Sequence, residues 1–261
     1  MGKLITARDC GGAWLSSVHH LLEHGGDCFN LIVEIGKPSL EHTGIRKLLD
    51  AFLQESGKRP IDEVANTIFP QSLYFTTMGQ QPLYENYELA WPLIRLFPIN
   101  KSGTYFWRMI HWGRSEPHLN QLEGTIEKLK EAQTWNKAYK SRYEISVYQP
   151  EQDARKLMAF PCLSHLSFKL EDGKLHLTAL YRNQYYIERA YGNFIGLGRL
   201  LNFVAKESNL VAGRLTCISS HAELHASKKV IIELLHSCME ARNSRRRQNK
   251  LNRDKWQLES C

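Results

Sequence analysis

The chain predicts an α+β fold, and three observations carry that prediction. Apolar stripes at helical spacing alternate with compact, strand-like apolar runs along the whole chain. Two alternating segments flank Glu171-Asp172-Gly173-Lys174, where Asp-Gly supplies the chemistry of a tight hairpin turn. No internal repeat and no low-complexity linker interrupts the sequence before its basic end. One domain, residues 1–240, followed by a basic tail, residues 241–261, is the simplest organisation.

The elements follow in order. Residues 11–24 read as a helix, with Leu15, Val18, Leu21 and Leu22 on one stripe. Residues 29–35 are a short apolar run and read as a strand, and residues 43–53 are again helical. Prolines at 60, 70, 82, 92 and 98 break residues 57–103 into short helices and loops. Residues 119–132 carry Leu119, Leu122, Ile126 and Leu129 on a helical stripe, and residues 143–148 read as a strand. Residues 163–170 and 175–181 form the predicted hairpin. A helix over 193–207, a strand over 214–219 and a helix over 226–242 complete the series.

Composition bounds the function. Of 261 residues 43% are hydrophobic and 23% charged, enough apolar content to build a sizeable core. No apolar run reaches membrane-spanning length, and the N-terminal residues lack an apolar leader core, so a cytoplasmic location is the expectation. Six cysteines without a C-x-x-C pair argue against a disulfide framework in that setting. The net charge is +7, but residues 241–261 hold seven Lys or Arg against Asp254 and Glu259, and so account for +5 of it. The remaining chain is therefore not a strongly basic nucleic-acid binder. The tail is either a solvated end or a patch for nucleic acid or a partner protein.

Two tempting motifs carry little. His221 and His225 have the spacing of a helical zinc pair, but Ala222 stands where the metalloprotease pattern needs glutamate. No metal site is expected. The glycines in 192–198 match neither a phosphate loop nor a dinucleotide fingerprint, and close helix packing accounts for them.

The chemistry gathers around Cys162. A cysteine at the start of one hairpin strand, Arg182 at the end of the next and Asn193 at the following helix start suit covalent attack on an anionic, base-bearing ligand. The thiolate is the nucleophile. A guanidinium favours the thiolate and neutralises a phosphate, and an amide offers a base both a donor and an acceptor.

Five local patterns, taken in order, resemble the thymidylate synthase family. They are 103–112 with Tyr105, the helical segment 120–130, Ser141-Arg142-Tyr143 leading into a strand, Phe160-Pro161-Cys162, and the hairpin ending at Arg182 followed by Asn193. The resemblance covers about residues 103–225. It implies a large, mostly antiparallel sheet with surrounding helices, two copies of which stack back to back as a homodimer. It also implies a transferase that adds its cysteine to C6 of a pyrimidine nucleotide and moves a methyl or hydroxymethyl group to C5.

In that scheme Cys162 is the nucleophile. Tyr105 assists proton removal at C5 or positions the intermediate. The catalytic glutamate is Glu63 or Glu88. Arg182 and a partner-derived Arg142 hold the phosphate, and Asn193 reads the base. Departures are also visible. Tyr143 replaces the second arginine of the family's pair. Asn183 and Tyr185 stand at its serine and at its folate-contacting aspartate. Glu223 and His225 replace its sugar-binding His-x-Tyr, and Asn183 and His225 stand as candidate substrate-binding residues. A tetrahydrofolate one-carbon donor is the cofactor implied, and the altered positions predict a non-standard sugar or donor. The alternative is a nucleotide-binding sensor whose basic tail contacts nucleic acid or protein.

Overall fold

The computed structural model describes residues 2–113, 117–135, 139–158 and 160–259, with side chains through residue 244. Its centre is a seven-stranded mixed sheet. The strands are β1 (Lys3–Ala7), β2 (Asp27–Ile35), β3 (Glu144–Ser146), β4 (Leu163–Glu171), β5 (Lys174–Tyr181), β6 (Gln184–Tyr185) and β7 (Val211–Glu223). They lie in the order β1-β2-β7-β5-β4-β3, with β6 added beside β7. Three of the five junctions on that path are antiparallel, β2/β7, β5/β4 and β4/β3. The junctions β1/β2 and β7/β5 are parallel, and so is the β6/β7 addition.

The helices are α1 (Cys10–Glu23), α2 (Thr43–Glu55), α3 (Ile61–Asn66), α4 (Gln81–Ile94), α5 (Tyr105–Ile110), α6 (Gln121–Thr134), α7 (Pro150–Asp153), α8 (Tyr191–Glu207) and α9 (Lys228–Glu259). The predicted elements are present, with ends shifted by a few residues, except that 57–103 is not broken into short pieces throughout: α4 runs 14 residues, with Pro82 in its first turn and Pro92 inside it. β1, β6, α5 and α7 lie where no element was predicted. α9 runs through the segment read as a separate tail, so that segment continues a helix. The side chains of Arg245, Arg246, Arg247, Lys250, Arg253 and Lys255 lie outside the described residues. No described helix is long and apolar enough to cross a membrane.

Strand side chains alternate between two faces, and here the faces differ in chemistry. Leu31, Val33, Leu177, Ala179, Leu215 and Cys217 are buried beneath α1 and α8, which pack on this side of the sheet. The other face carries Glu34, Arg214, Glu171 and His176 in one ion-pair network. A second network there links Glu144 with His165, Ser167 and Lys169.

The glycines of α8 let it approach its neighbours closely. A Cβ on Gly196 would stand 2.7 Å from the Ala65 carbonyl oxygen of α3, and one on Gly198 would stand 2.5 Å from that of Pro38. Close packing is therefore what the glycine run in 192–198 provides.

Candidate active site

The β4–β5 hairpin builds the site by its register. Asp172 and Gly173 both have positive φ, 49° and 71°, as a two-residue turn of this hand requires. Near the turn, Glu171 pairs with Lys174 and Lys169 with His176. Continued unchanged, that register would set Cys162 opposite Asn183. A bulge between Leu163 and His165 shifts the pairing so that Leu163 faces Tyr181, and Cys162 therefore comes opposite Arg182. Bulges re-aim side chains in this way beside functional sites.

Arg182 then grips the cysteine segment. Its backbone N–H donates to the Cys162 carbonyl at 2.9 Å. Its Nε donates to the Pro161 carbonyl and its Nη2 to the Phe160 carbonyl, each at 3.1 Å. The guanidinium lies 3.7 Å from the centroid of the Phe160 ring. The Cys162 thiol is half-buried. Desolvation raises its pKa, and the charges of Arg182 and Arg189 act against that rise.

Tyr105 opens α5, whose N-cap Thr104 accepts from the Trp107 amide at 3.1 Å. Its ring meets Tyr181 edge-on at 6.3 Å. Burial pushes its phenol well above the ordinary value, and the Cys162 thiol adds to the rise. The backbone of Leu163 and Cys162 and the Arg189 charge oppose it. Cys162, Tyr105, Arg182 and Arg189 thus form one electrostatic cluster. Sequence reasoning missed Arg189. It sits in a π-helical turn, Tyr186–Ala190, just before α8, a local geometry frequent at functional sites that no residue spacing announces.

The remaining candidates are distributed as follows. Asn193 lies buried in the first turn of α8, and its amide has no hydrogen-bond partner among the described residues. Asn183 donates to Glu223 at 3.0 Å and accepts from His221 at 2.7 Å. His225 stacks on Tyr185 at 4.4 Å and lies 3.3 Å from Glu188. These residues occupy the strand-end region beyond Arg182.

Glu63 is exposed and pairs with Arg59 at 3.2 Å; the Arg59 charge in turn opposes that of Arg189. No described contact links Glu63 with the thiol. Glu88 pairs instead with His111 at 3.4 Å. Arg142 pairs with Glu131 at 3.5 Å. The Tyr143 carbonyl accepts from Phe168, which places Arg142 about six residues along β4 from Cys162, or roughly 20 Å. Within one chain Arg142 does not join the cluster.

Among the described residues no group of three or more His, Cys, Asp or Glu is arranged to hold a metal. His221 lies on β7 and His225 beyond its end, so the two do not share a helix face.

Comparison with known proteins gives the same direction as the motifs. No family model matches the chain. Curated proteins named "Putative thymidylate synthase" do match. That of Methanosarcina acetivorans is 32% identical over 122 residues, 47% of this chain and 52% of the relative. That of Methanosarcina barkeri is 33% identical over 123 residues, with the same coverage. That of Methanocaldococcus jannaschii is 26% identical over 148 residues, 53% of this chain and 63% of the relative. The chain spans about half the length of the first of these relatives. Over that part it is similar to proteins named "Putative thymidylate synthase", and divergent from them.

Proposed function

We propose that the chain is a divergent thymidylate-synthase-like transferase acting on C5 of a uracil-type pyrimidine nucleotide, with Cys162 as covalent nucleophile. The observation that carries this reading is the half-buried Cys162 thiol on a segment held by three hydrogen bonds from Arg182, with the charges of Arg182 and Arg189 acting on it. Those charges favour a thiolate and suit an anionic substrate. Thiolate addition makes the S–C6 bond and moves the C5–C6 π pair toward C5 and O4. The C5 proton then exchanges with water, and elimination breaks the S–C6 bond and restores the ring. Asn193 offers the base both a donor and an acceptor.

Group transfer needs an electrophilic one-carbon donor at the formaldehyde oxidation level. Water completes a hydroxymethyl group, and a methyl group requires hydride from a reduced donor as well. Tetrahydrofolate is the class that the resemblance implies. The residues at the family's folate contact do not fit it, because Tyr185 is stacked on His225 where a carboxylate is expected. No step is therefore assigned to folate. Glu223 and His225, at the family's sugar contacts, favour a sugar other than the usual deoxyribose.

The reading includes a homodimer through the sheet face bearing the Glu34 and Glu144 networks, with Arg142 reaching the phosphate site of the second copy. It also includes a functional boundary near residue 240, the basic tail being dispensable for chemistry. Tritium release from C5-labelled uridine or deoxyuridine monophosphate is the test. Release that vanishes in Cys162→Ser, while nucleotide binding persists, is the expected result.

A second reading has its own support. Burial raises the thiol, and the Arg182 guanidinium is occupied by two backbone carbonyls. Both suit a nucleotide sensor without turnover, its tail contacting nucleic acid or protein. Tight nucleotide binding without tritium release decides for that reading.

A further inference from the structure

A second ligand site lies on the other side of α5. Helical geometry turns Trp107 and His111 away from Tyr105, and there they help line a cavity of about 310 Å³ between α4, α5 and the segment after β3. That volume is at the lower end for small-ligand pockets. One wall is aromatic and rigid. Trp91 stacks on Trp107 at 4.1 Å, and Trp107 on His111 at 3.6 Å, with interplanar angles of 9° in both pairs.

The rest of the lining is cationic. Arg95, Lys101 and Lys156 all border the cavity, and among the described residues no carboxylate does. Arg108, which reaches the lining from below, is already saturated. Its guanidinium donates to both oxygens of Asp153, to the Ser102 carbonyl and to the Val147 carbonyl. Asp153 also accepts from the Gln149 amide at 3.1 Å and from Lys156 at 3.3 Å. Asp153 is thus committed beneath the surface, and the other carboxylate nearby, Glu88, pairs with the lining His111 at 3.4 Å. Arg95 and Lys101 have no carboxylate partner among the described residues.

We propose that this cavity binds a phosphate-bearing ligand of mononucleotide size or smaller, its phosphate held by Arg95, Lys101 and Lys156 against the Trp91–Trp107 wall. The chemistry is that of charge-assisted hydrogen bonds to an oxyanion. The site is distinct from the Cys162 cluster, and it stands or falls independently of the transferase reading.

The test is calorimetric titration of the full chain with inorganic pyrophosphate at low salt, in an Arg182→Gln background that disables the proposed substrate phosphate site. Binding is expected there. Adding Arg95→Gln and Lys101→Gln is expected to weaken it about tenfold or more, as the loss of two charged contacts predicts. Both added positions are surface charges, and thermal melts check that the variants stay folded. The same pair of substitutions in the otherwise wild-type chain provides a second measurement, in which stoichiometry is expected to fall by one. Absence of binding in the Arg182→Gln protein overturns the proposal. So does unchanged affinity after both added substitutions, and so does binding of citrate without binding of pyrophosphate.

Discussion

Asp153→Asn is a sharp perturbation of this structure. Both partners of the Arg108–Asp153 pair are buried, their side chains exposed by only 2% and 0%. The substitution keeps the volume and removes the charge, so the Arg108 guanidinium is left buried and uncompensated. Breaking a buried pair in this way costs about 3–5 kcal/mol. For a chain of this size each kcal/mol corresponds to a Tm change of about 2–4 °C, so the expected fall is roughly 6–20 °C. Differential scanning calorimetry at neutral pH measures it. Replacing both partners, Arg108→Met with Asp153→Leu, is expected to cost less than either single change, because no charge is then stranded.

The same pair sets an acid limit on stability. Desolvation alone would raise the Asp153 carboxyl, but the Arg108 contacts outweigh it and hold the carboxyl below its ordinary value. A depressed folded pKa contributes stability that is present above the unfolded value, near pH 4, and is lost as the pH falls through the folded value. Wild-type Tm is therefore expected to drop below about pH 4 and the Asp153→Asn variant to lack that part of the drop. A fall of less than about 3 °C at neutral pH, or an identical acid profile, would refute this account of the pair.

Three other outcomes are expected. Gly198→Ala is expected to destabilise by about 1–3 kcal/mol in thermal melts, since its Cβ would meet the Pro38 backbone. Gly124→Ala in α6, with nothing within 4 Å, is expected to stabilise by about 0.5–1 kcal/mol instead. Removing residues 245–261 is expected to leave mononucleotide binding unchanged, while any RNA or DNA binding weakens and loses salt dependence in a filter or anisotropy assay. Light scattering of the intact protein is expected to give a dimer at micromolar concentration, and Arg142→Gln is expected to weaken nucleotide binding without changing that mass.

The sequence made the longer helices outside 57–103 legible because each carries its own period, and it made the hairpin legible because Asp172-Gly173 demands one turn. It also brought Cys162 and Arg182 together, although only the bulge after Leu163 explains why Arg182 and not Asn183 faces the thiol. Other features had no local signal. β1 was missed because Leu4, Ile5 and Thr6 make too short a run, and its strand state comes from pairing with β2. The parallel β5/β7 junction is set by the α8 crossover rather than by either strand. Arg189 depends on a π-helical turn, and the aromatic stack of Trp91, Trp107 and His111 joins two helices whose contact no single-segment period reveals.

The electrostatics of the cluster also divide the roles of its members. The Tyr105 phenol is held well above its ordinary value by burial and by the adjacent thiol, so at neutral pH it is protonated. It can donate a hydrogen bond or fix a water molecule, and it cannot serve as a phenolate base. Of the two roles that the resemblance allows, positioning the intermediate is the one this environment supports. The thiol is also raised, with Arg182 and Arg189 as the opposing charges. A phosphate that neutralises Arg182 removes part of that opposition, so substrate binding through Arg182 alone would make the thiolate scarcer. Arg189 lies deeper than the exposed Arg182, and it is the charge left to favour the thiolate once the phosphate is seated. Tritium release should therefore depend on Arg189 more than on Arg182 at saturating nucleotide, and should still be rising with pH above about 8.5, the ordinary thiol value. A pH profile that levels off near neutrality, or an Arg189→Gln variant with wild-type release at saturation, would remove this assignment of the thiol's activating charge.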